Sequence, residues 1–312
     1  MKIIRSAKEI EPHGRKTCLA IGFFDGVHLG HQHIIRQTIA DARQQEALAL
    51  AVTFDCHPFV VVAPDRVPAL IYSLPQKLRA IESLGVDALL LIHFDRAFSE
   101  QSGQTFISGL AGDLGRIQSI CVGSDFTFGH KRSGNVTLLK KMGHELNFNV
   151  HGMAAVSLDG KTVSSTRIRE AVQSGDLDAA SQMLGRTYSM SGKVIRGDQV
   201  GRKLGFPTAN VDATGLVLPP LGVYTAHARL DGHSYRAAVN IGSRPTLKNS
   251  SPQIRVEAHL LDFKGEIYDQ ELELAFMAKL RDEKAFPSLG ALKEQIERDV
   301  SEARSRFNRA TP

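Results

Sequence analysis

The apolar run Cys18-Leu19-Ala20-Ile21 opens directly into a glycine- and histidine-rich decapeptide, GFFDGVHLGH at 22–31. An amphipathic stretch follows in which Ile34, Ile35, Thr38, Ile39 and Ala42 share one helical face. A short continuous apolar run, then glycines, then a 3.6-residue period reads as buried strand, sharp turn and helix. Gly22, Gly26 and Gly30 let the backbone turn tightly and approach a ligand closely. The first helical turn offers unpaired N–H groups and the positive end of its dipole, which suits phosphate. His28 and His31 stand three residues apart, so both project from one side of that turn.

This unit is the first of several. Apolar runs at 48–54, 88–92 and 117–122, with a weaker one near 150–156, alternate with helical patterns at 75–84, 104–110 and 136–142. Continuous rather than alternating strands predict a parallel sheet covered on both faces, an α/β Rossmann-like domain. Ligands bind such sheets at the carboxyl ends of the strands, where 22–31, Asp55-Cys56-His57-Pro58 and 123–134 all fall. A short helix with Asp176 at its N-cap and Gly185 just past its end closes the pattern. From Tyr188 the period becomes two. Segments 223–230 and 234–241 flank an Asp231-Gly232 hairpin turn, and 254–261 and 271–280 alternate clearly. A closing helix from about 288 places Leu289, Leu292, Ile296, Val300, Ala303 and Phe307 on one stripe. The second module is therefore expected to be a small antiparallel β-barrel with a C-terminal helix. The expected domains are 1–186 and 187–312.

Composition narrows the partners. With 312 residues, 42% hydrophobic and 23% charged, the chain can bury two ordinary cores. A net charge of +5 suits anionic small ligands. Without a basic block or aromatic–basic alternation, a nucleic-acid surface is not expected. Cys18, Cys56 and Cys121 form no CxxC pair and read as reduced core thiols of a cytoplasmic protein. No signal-like apolar region and no apolar stretch of ~18 residues is present, so no membrane partner is expected. At most a weak homo-oligomer is expected.

Four clusters carry candidate chemistry. Asp125, Phe126 and Phe128 follow a strand, with Lys131 and Arg132 in a glycine-flanked loop; they could hold a planar heterocycle and its phosphate, and a packed loop with solvated charges fits equally well. Ser165 and Thr166 can cap the next helix, but Arg167 and Arg169 in its first turn oppose the helix dipole unless an anion lies between them. Gly197, Gly201 and Gly205 with Arg202 and Lys203 form a flexible basic loop fit to close over polyphosphate. After Pro207, Thr208 and Asn210 share one side of an extended segment and can share Mg²⁺, a hard cation that takes oxygen ligands. Glu257 faces away from the apolar set of its strand, as a solvated carboxylate or as a general base; spacing does not separate the two. His28, His31 and His33 lack a companion cluster for zinc.

The HxGH pattern at 28–31, preceded by Phe24-Asp25-Gly26, is the signature of the nucleotidylyltransferase superfamily. The whole chain resembles the bacterial bifunctional riboflavin kinase/FMN adenylyltransferases, or prokaryotic FAD synthetases. GFFDGVHLGH, VTFDCHP, LGVDALLLIHFDRAF, VGSDFTFGHKRSG, SSTRIR, GKVIRGDQVGRKLGFPTANV, LGVY, VNIGSRPT, VEAHLLDF and LRDEKAFPSLGALKEQIERD occur in the family's order. The resemblance implies that the C-terminal barrel phosphorylates riboflavin to FMN with ATP. Thr208 and Asn210 would hold Mg²⁺-ATP, and Glu257 would be the base. It implies that the N-terminal domain adenylylates FMN to FAD with release of pyrophosphate. There Gly22, Phe24, Asp25, Gly26, His28, His31, Ser165, Thr166 and Arg169 would bind ATP phosphates, and Asp125 would lie near the flavin. Phe23, Cys56 and Asp269 depart from the family pattern; Asp269 replaces a turn glycine, a position where Asp tolerates left-handed geometry. Two other readings are a monofunctional riboflavin kinase whose first domain only binds, and a flavin-sensing regulator that binds nucleic acid.

Overall fold

The computed structural model describes residues 1–10, 16–244 and 253–309, so the end of VNIGSRPT lies outside the described residues. Two compact units emerge, neither continuous in sequence. One comprises Met1–Pro68 with Leu74–Ser165, the other Ala69–Ser73 with Thr166–Pro312.

The first unit is built on strands β1 (Lys2–Ile4), β2 (Lys16–Ile21), β3 (Leu48–Phe54), β4 (Ala88–Ile92), β5 (Arg116–Gly123) and β6 (Asn149–Met153). They form one parallel sheet in the order β1-β4-β3-β2-β5-β6. Its helices are α1 (Leu29–Gln45), α2 (Leu74–Glu82), α3 (Gly103–Leu114) and α4 (Val136–Leu146). Alternation along each strand decides which helices cover which face. Leu19, Ile21, Leu50, Val52, Ile120 and Val122 meet α3 and α4 through Ile107, Leu110, Leu139 and Met142. The opposite set, Cys18, Ala20, Ala49, Ala51 and Cys121, is small, and Ile34, Ile35, Ile39 and Ala42 of α1 fill the space above it. The expected doubly covered sheet is present, and the residues assigned to one face of α1 are buried. β1 was not expected: it is three residues long and buries Ile4 alone, too little for a period to register.

The second unit begins with α5 (Ser165–Ser174), which starts at the boundary, and α6 (Leu177–Leu184). Asp176 caps α6 by accepting from the Ala179 N–H, and Gly185 ends it at φ 68°. Then come β7 (Ser189–Ile195), a short helix α7 (Val200–Leu204), β8 (Ala209–Val211), β9 (Gly222–Leu230), β10 (His233–Arg244), β11 (Gln253–Leu260), β12 (Glu271–Asp282) and α8 (Leu289–Arg309). The strands close a barrel in the order β7-β8-β11-β10-β9-β12, which leaves no unpaired edge. Asp231 (φ 46°) and Gly232 (φ 80°) both lie in the left-handed region that a two-residue hairpin turn requires. Inside, Tyr188 stacks on Phe276 at 5.9 Å, and its hydroxyl donates to the Val217 carbonyl at 2.6 Å. Ala303 and Phe307 of α8 pack with Ala238 and Leu261. Leu289, expected on the buried stripe, is instead 65% exposed at the frayed start of that helix. The segment Ala69–Ser73 joins this unit through Leu70, which donates to Gly215 and accepts from Val217, both at 2.8 Å.

Ile35 is fully buried between α1 and the small-residue face of the sheet. Ile35→Ala is expected to destabilise the first unit by about 2–5 kcal/mol, read as a shift of its denaturant midpoint with the barrel's transition unmoved.

Candidate active sites

In the first unit the turn after β2 is wound against the preferences of its residues. Phe24 (φ 56°), Gly26 (φ 73°) and Val27 (φ 43°) all have positive φ, and Val27 is β-branched. The turn is held from beneath, because the Phe24 ring is 1% exposed and lies edge-on to His31 at 5.3 Å. A Cβ at Gly22 would stand 2.7 Å from that ring, so glycine is required there. Phe24, expected to meet phosphate, therefore serves the site through its backbone and not its side chain. His28 caps α1: its Nδ1 lies 3.4 Å from the His31 N–H it accepts from. That leaves Nε2 as the protonated nitrogen of the neutral ring. The two imidazoles stack at 3.6 Å with planes 19° apart, so the expected shared side is realised.

Ser165 was expected to cap the following helix. It is instead the first residue of α5, and its hydroxyl donates to the Asp25 carbonyl at 3.2 Å. In the second unit, Arg169 Nε donates to the Ala69 carbonyl at 2.7 Å.

The carboxyl end of the sheet also carries an aromatic cavity of about 520 Å³, lined by Phe23, Phe54, Phe94, Phe98, Phe126 and Phe128 among others. Its rings form a chain of edge contacts: Phe54–Phe94 at 5.4 Å, Phe94–Phe98 and Phe98–Phe106 at 5.5 Å. Phe126 and Phe128 stack at 5.2 Å. A cavity of this size, apolar with Lys131 and Arg132 at its rim, suits a planar heterocycle bearing a phosphate. Of these rings the sequence singled out Phe126 and Phe128, and Phe23 as a departure from the family pattern; Phe54, Phe94 and Phe98 were not expected here. Asp125 is exposed and lies outside the lining, because its place in the turn sends its side chain to solvent. Beside the cavity, Asp55 meets His93 Nδ1 at 2.6 Å and accepts from the Phe94 N–H at 3.1 Å. Partial burial draws the Asp55 carboxyl upward, but those two hydrogen bonds outweigh it and leave Asp55 below its ordinary value. The same bond raises the His93 imidazole.

In the second unit two cavities, of about 270 and 340 Å³, both reach Thr208. The first is lined by Arg202, Pro207, Phe263 and Tyr268. The second is lined by Phe206, Asn240, Glu257, His259 and Arg281, with α8 contributing Ile296 and Asp299. β8 sets Asn210 directly opposite Glu257 of β11. A Cβ at Gly197 would lie 2.3 Å from the Asn210 amide, so that glycine lets the loop close over it. The loop expected to be flexible contains α7, ended by Gly205 at φ 94°. Arg202 lies 3.5 Å from Glu266, and Asp198 pairs with Arg255 at 2.7 Å. Lys203 and Gly205 line neither cavity. Asp269, where a turn glycine was missing, adopts φ 66° and pairs with Lys193 at 2.9 Å, which holds its carboxyl below the usual range. Sequence reading missed His259, whose Nδ1 lies 2.8 Å from the Pro207 carbonyl, and the fork of Arg281 on Asp299 at 2.7–3.1 Å.

Comparison with known proteins matches both units. Residues 10–167 fit the FAD synthetase family model and residues 184–307 the riboflavin kinase model. The chain is 36% identical to the bifunctional riboflavin kinase/FMN adenylyltransferase of Escherichia coli (strain K12), with all of both chains covered. It is 37% identical to that of Haemophilus influenzae, covering 99% of this chain and 100% of the other. A crystal structure described as a macrolide-efflux protein from Streptococcus pneumoniae superposes with a TM-score of 0.80 at 27% identity, over 97% of this chain and 98% of that one. Among the described residues of the present chain, no helix is long and apolar enough to cross a membrane.

The Asp55–His93 pair is charged on both sides between the lowered carboxyl and the raised imidazole, and it is lost as pH rises through the His93 value. Asp55→Asn is expected to return the His93 titration toward that of a free imidazole, measured by proton NMR of its ring.

Proposed function

The chain belongs to the bifunctional riboflavin kinase/FMN adenylyltransferase family, and on that premise we propose how its residues divide the two reactions. It phosphorylates riboflavin to FMN with ATP and adenylylates FMN to FAD with release of pyrophosphate; riboflavin, FMN and ATP are its substrates. A kinase with a merely binding first domain is not favoured. We assign the adenylyltransferase to 1–186 and the kinase to 187–312.

The observation that carries the kinase assignment is the meeting of two cavities at Thr208. ATP occupies the one rimmed by Arg202, and riboflavin the one that holds Glu257, so donor phosphate and acceptor hydroxyl face each other across that residue. Glu257 takes the proton of the terminal ribityl hydroxyl as it attacks the γ-phosphorus, and ADP leaves. The Thr208 hydroxyl and the Asn210 amide oxygen are hard donors that would hold Mg²⁺, which when bound would neutralise phosphate charge. Arg202, released from Glu266, adds positive charge. Gly197, Gly201, Gly205 and Pro207 shape the loop and segment around the nucleotide.

For adenylyl transfer, flavin enters the aromatic cavity between Phe126 and the facing rings. An oxygen of the FMN phosphate then attacks the α-phosphorus of ATP, and the bond to pyrophosphate breaks. His28 and His31 donate ring N–H groups to the triphosphate beside the amino end of α1, and the Gly22–Gly26 turn admits it. Ser165, beside the Asp25 carbonyl, holds a phosphate oxygen, and Asp125 stays at the flavin's solvent side. Positioning and charge neutralisation account for most of the work in both reactions. Three free cysteines agree with a cytoplasmic location. We expect small molecules as partners, no nucleic acid, and at most a weak homo-oligomer.

Chromatography of riboflavin with excess Mg-ATP is expected to show FMN rising and then giving way to FAD. Glu257→Gln should slow FMN formation by roughly 10²-fold or more and spare adenylylation of added FMN. His28→Ala with His31→Ala should do the reverse. Loss of both steps from either change, in folded protein, would refute separate sites.

A further inference from the structure

We propose that Lys77 is a positioning residue for adenylyl transfer, locking Phe23 into the wall of the flavin cavity. The inference rests on reading that aromatic cavity as the FMN site.

Lys77 sits on α2 between Leu74 and Ile81, on the face that helical periodicity turns inward, and it is only 4% exposed. Its ammonium donates to the Phe54 carbonyl at 2.8 Å, the Phe23 carbonyl at 3.2 Å and the Thr53 hydroxyl at 3.5 Å. Thr53 in turn donates to the same Phe23 carbonyl at 2.9 Å. All three acceptors are neutral, so the charge is buried without a contacting carboxylate. That arrangement is costly compared with an apolar side chain of the same length. A core need not contain it, which points to a use for the charge.

Its surroundings name that use. The ammonium also lies over the Phe23 ring, 4.3 Å from the centroid, and the His57 ring stands edge-on to Phe23 at 4.8 Å. Phe23 is thus held by its carbonyl, by one ring face and by an imidazole, and it lines the cavity together with Phe54. The hydrogen bond fixes the Phe23 backbone and the cation–π contact from the same group fixes its ring, which cannot turn away without losing that contact. The ammonium also offsets the negative ends of one strand carbonyl, Phe54, and one turn carbonyl, Phe23, at the edge of the cavity. Asp25, Asp55 and Cys56 face Lys77 and favour its charged form, His57 packs beside Phe23, and Asp55 is shared with His93. Burial nevertheless lowers the Lys77 pKa to about 8. The clamp is therefore intact below that pH and fails as pH rises through it.

The test uses the full chain and varies FMN and ATP separately. Lys77→Met is expected to raise KM for FMN about tenfold, leaving KM for ATP and the riboflavin kinase rate unchanged. In the unaltered protein KM for FMN should climb above pH about 8, and Lys77→Met should abolish that climb. Phe23→Leu should raise KM for FMN alike, and the double variant should add little to either single change. An unchanged KM for FMN in folded Lys77→Met would overturn the proposal, as would an equal loss in kcat and both KM values, which marks a purely structural role. If Lys77→Met does not fold, Phe23→Leu decides: an unchanged KM for FMN in that variant overturns the proposal. Phe128→Ala separates the underlying reading. If that change leaves KM for FMN unaltered, the cavity is not the flavin site, and the proposal falls with it.

Discussion

The burial of one ring, Phe24, holds the turn on which the first site depends. Positive φ at Phe24 and Val27 costs on the order of 1–3 kcal/mol each, and both side chains are 1% exposed or less. Full burial of such side chains returns on the order of 1.5–3 kcal/mol apiece. The two are of the same size, so the turn exists only because the sheet and α1 enclose it. His28 can then cap α1, and His31 can stack on His28 at the amino end of the helix.

The barrel solves a different problem. Two substrates must meet with their reacting atoms aligned, and a closed sheet supplies fixed walls for both cavities. β8 and β11 set Asn210 against Glu257 by register, which is more exact than a loop can be. The loop carrying Gly197–Gly205 then needs only to lie over that register, and Gly197 permits the contact with Asn210 that any side chain would block. One wall of the larger barrel cavity comes from α8, which Arg281 binds through a bidentate fork on the largely buried Asp299.

Both units place cations on oxygens near their sites. Lys77 rests on two carbonyls and a hydroxyl, whereas Arg202 rests on the exposed Glu266. The first is rigid and buried, as a residue that shapes a wall should be. The second is exposed and weak, so that side chain gives up little on leaving its partner.

The succession of strand, glycine turn and amphipathic helix, the change of period after Gly185, and the paired His28 and His31 were all legible in the chain, because they depend on neighbours three or four residues away. So were the Asp231-Gly232 turn and the tolerance of Asp269 for left-handed geometry. What the sequence could not convey arises between distant segments. Phe54, Phe94 and Phe98 read as separate apolar residues and become one cavity only when parallel strands align their carboxyl ends. Phe24 sits inside the motif, yet its ring goes to the core, since Gly22 leaves room for it there. Lys77 falls on the inward face of its helix with Leu74 and Ile81, but only the approach of β3 and the Phe23 turn supplies the oxygens that hold its ammonium. The sequence by itself determined the local conformations and the chemistry available; tertiary structure decided which side chains share a cavity and which charges lose water, because burial is a property of packing between segments and not of spacing along one.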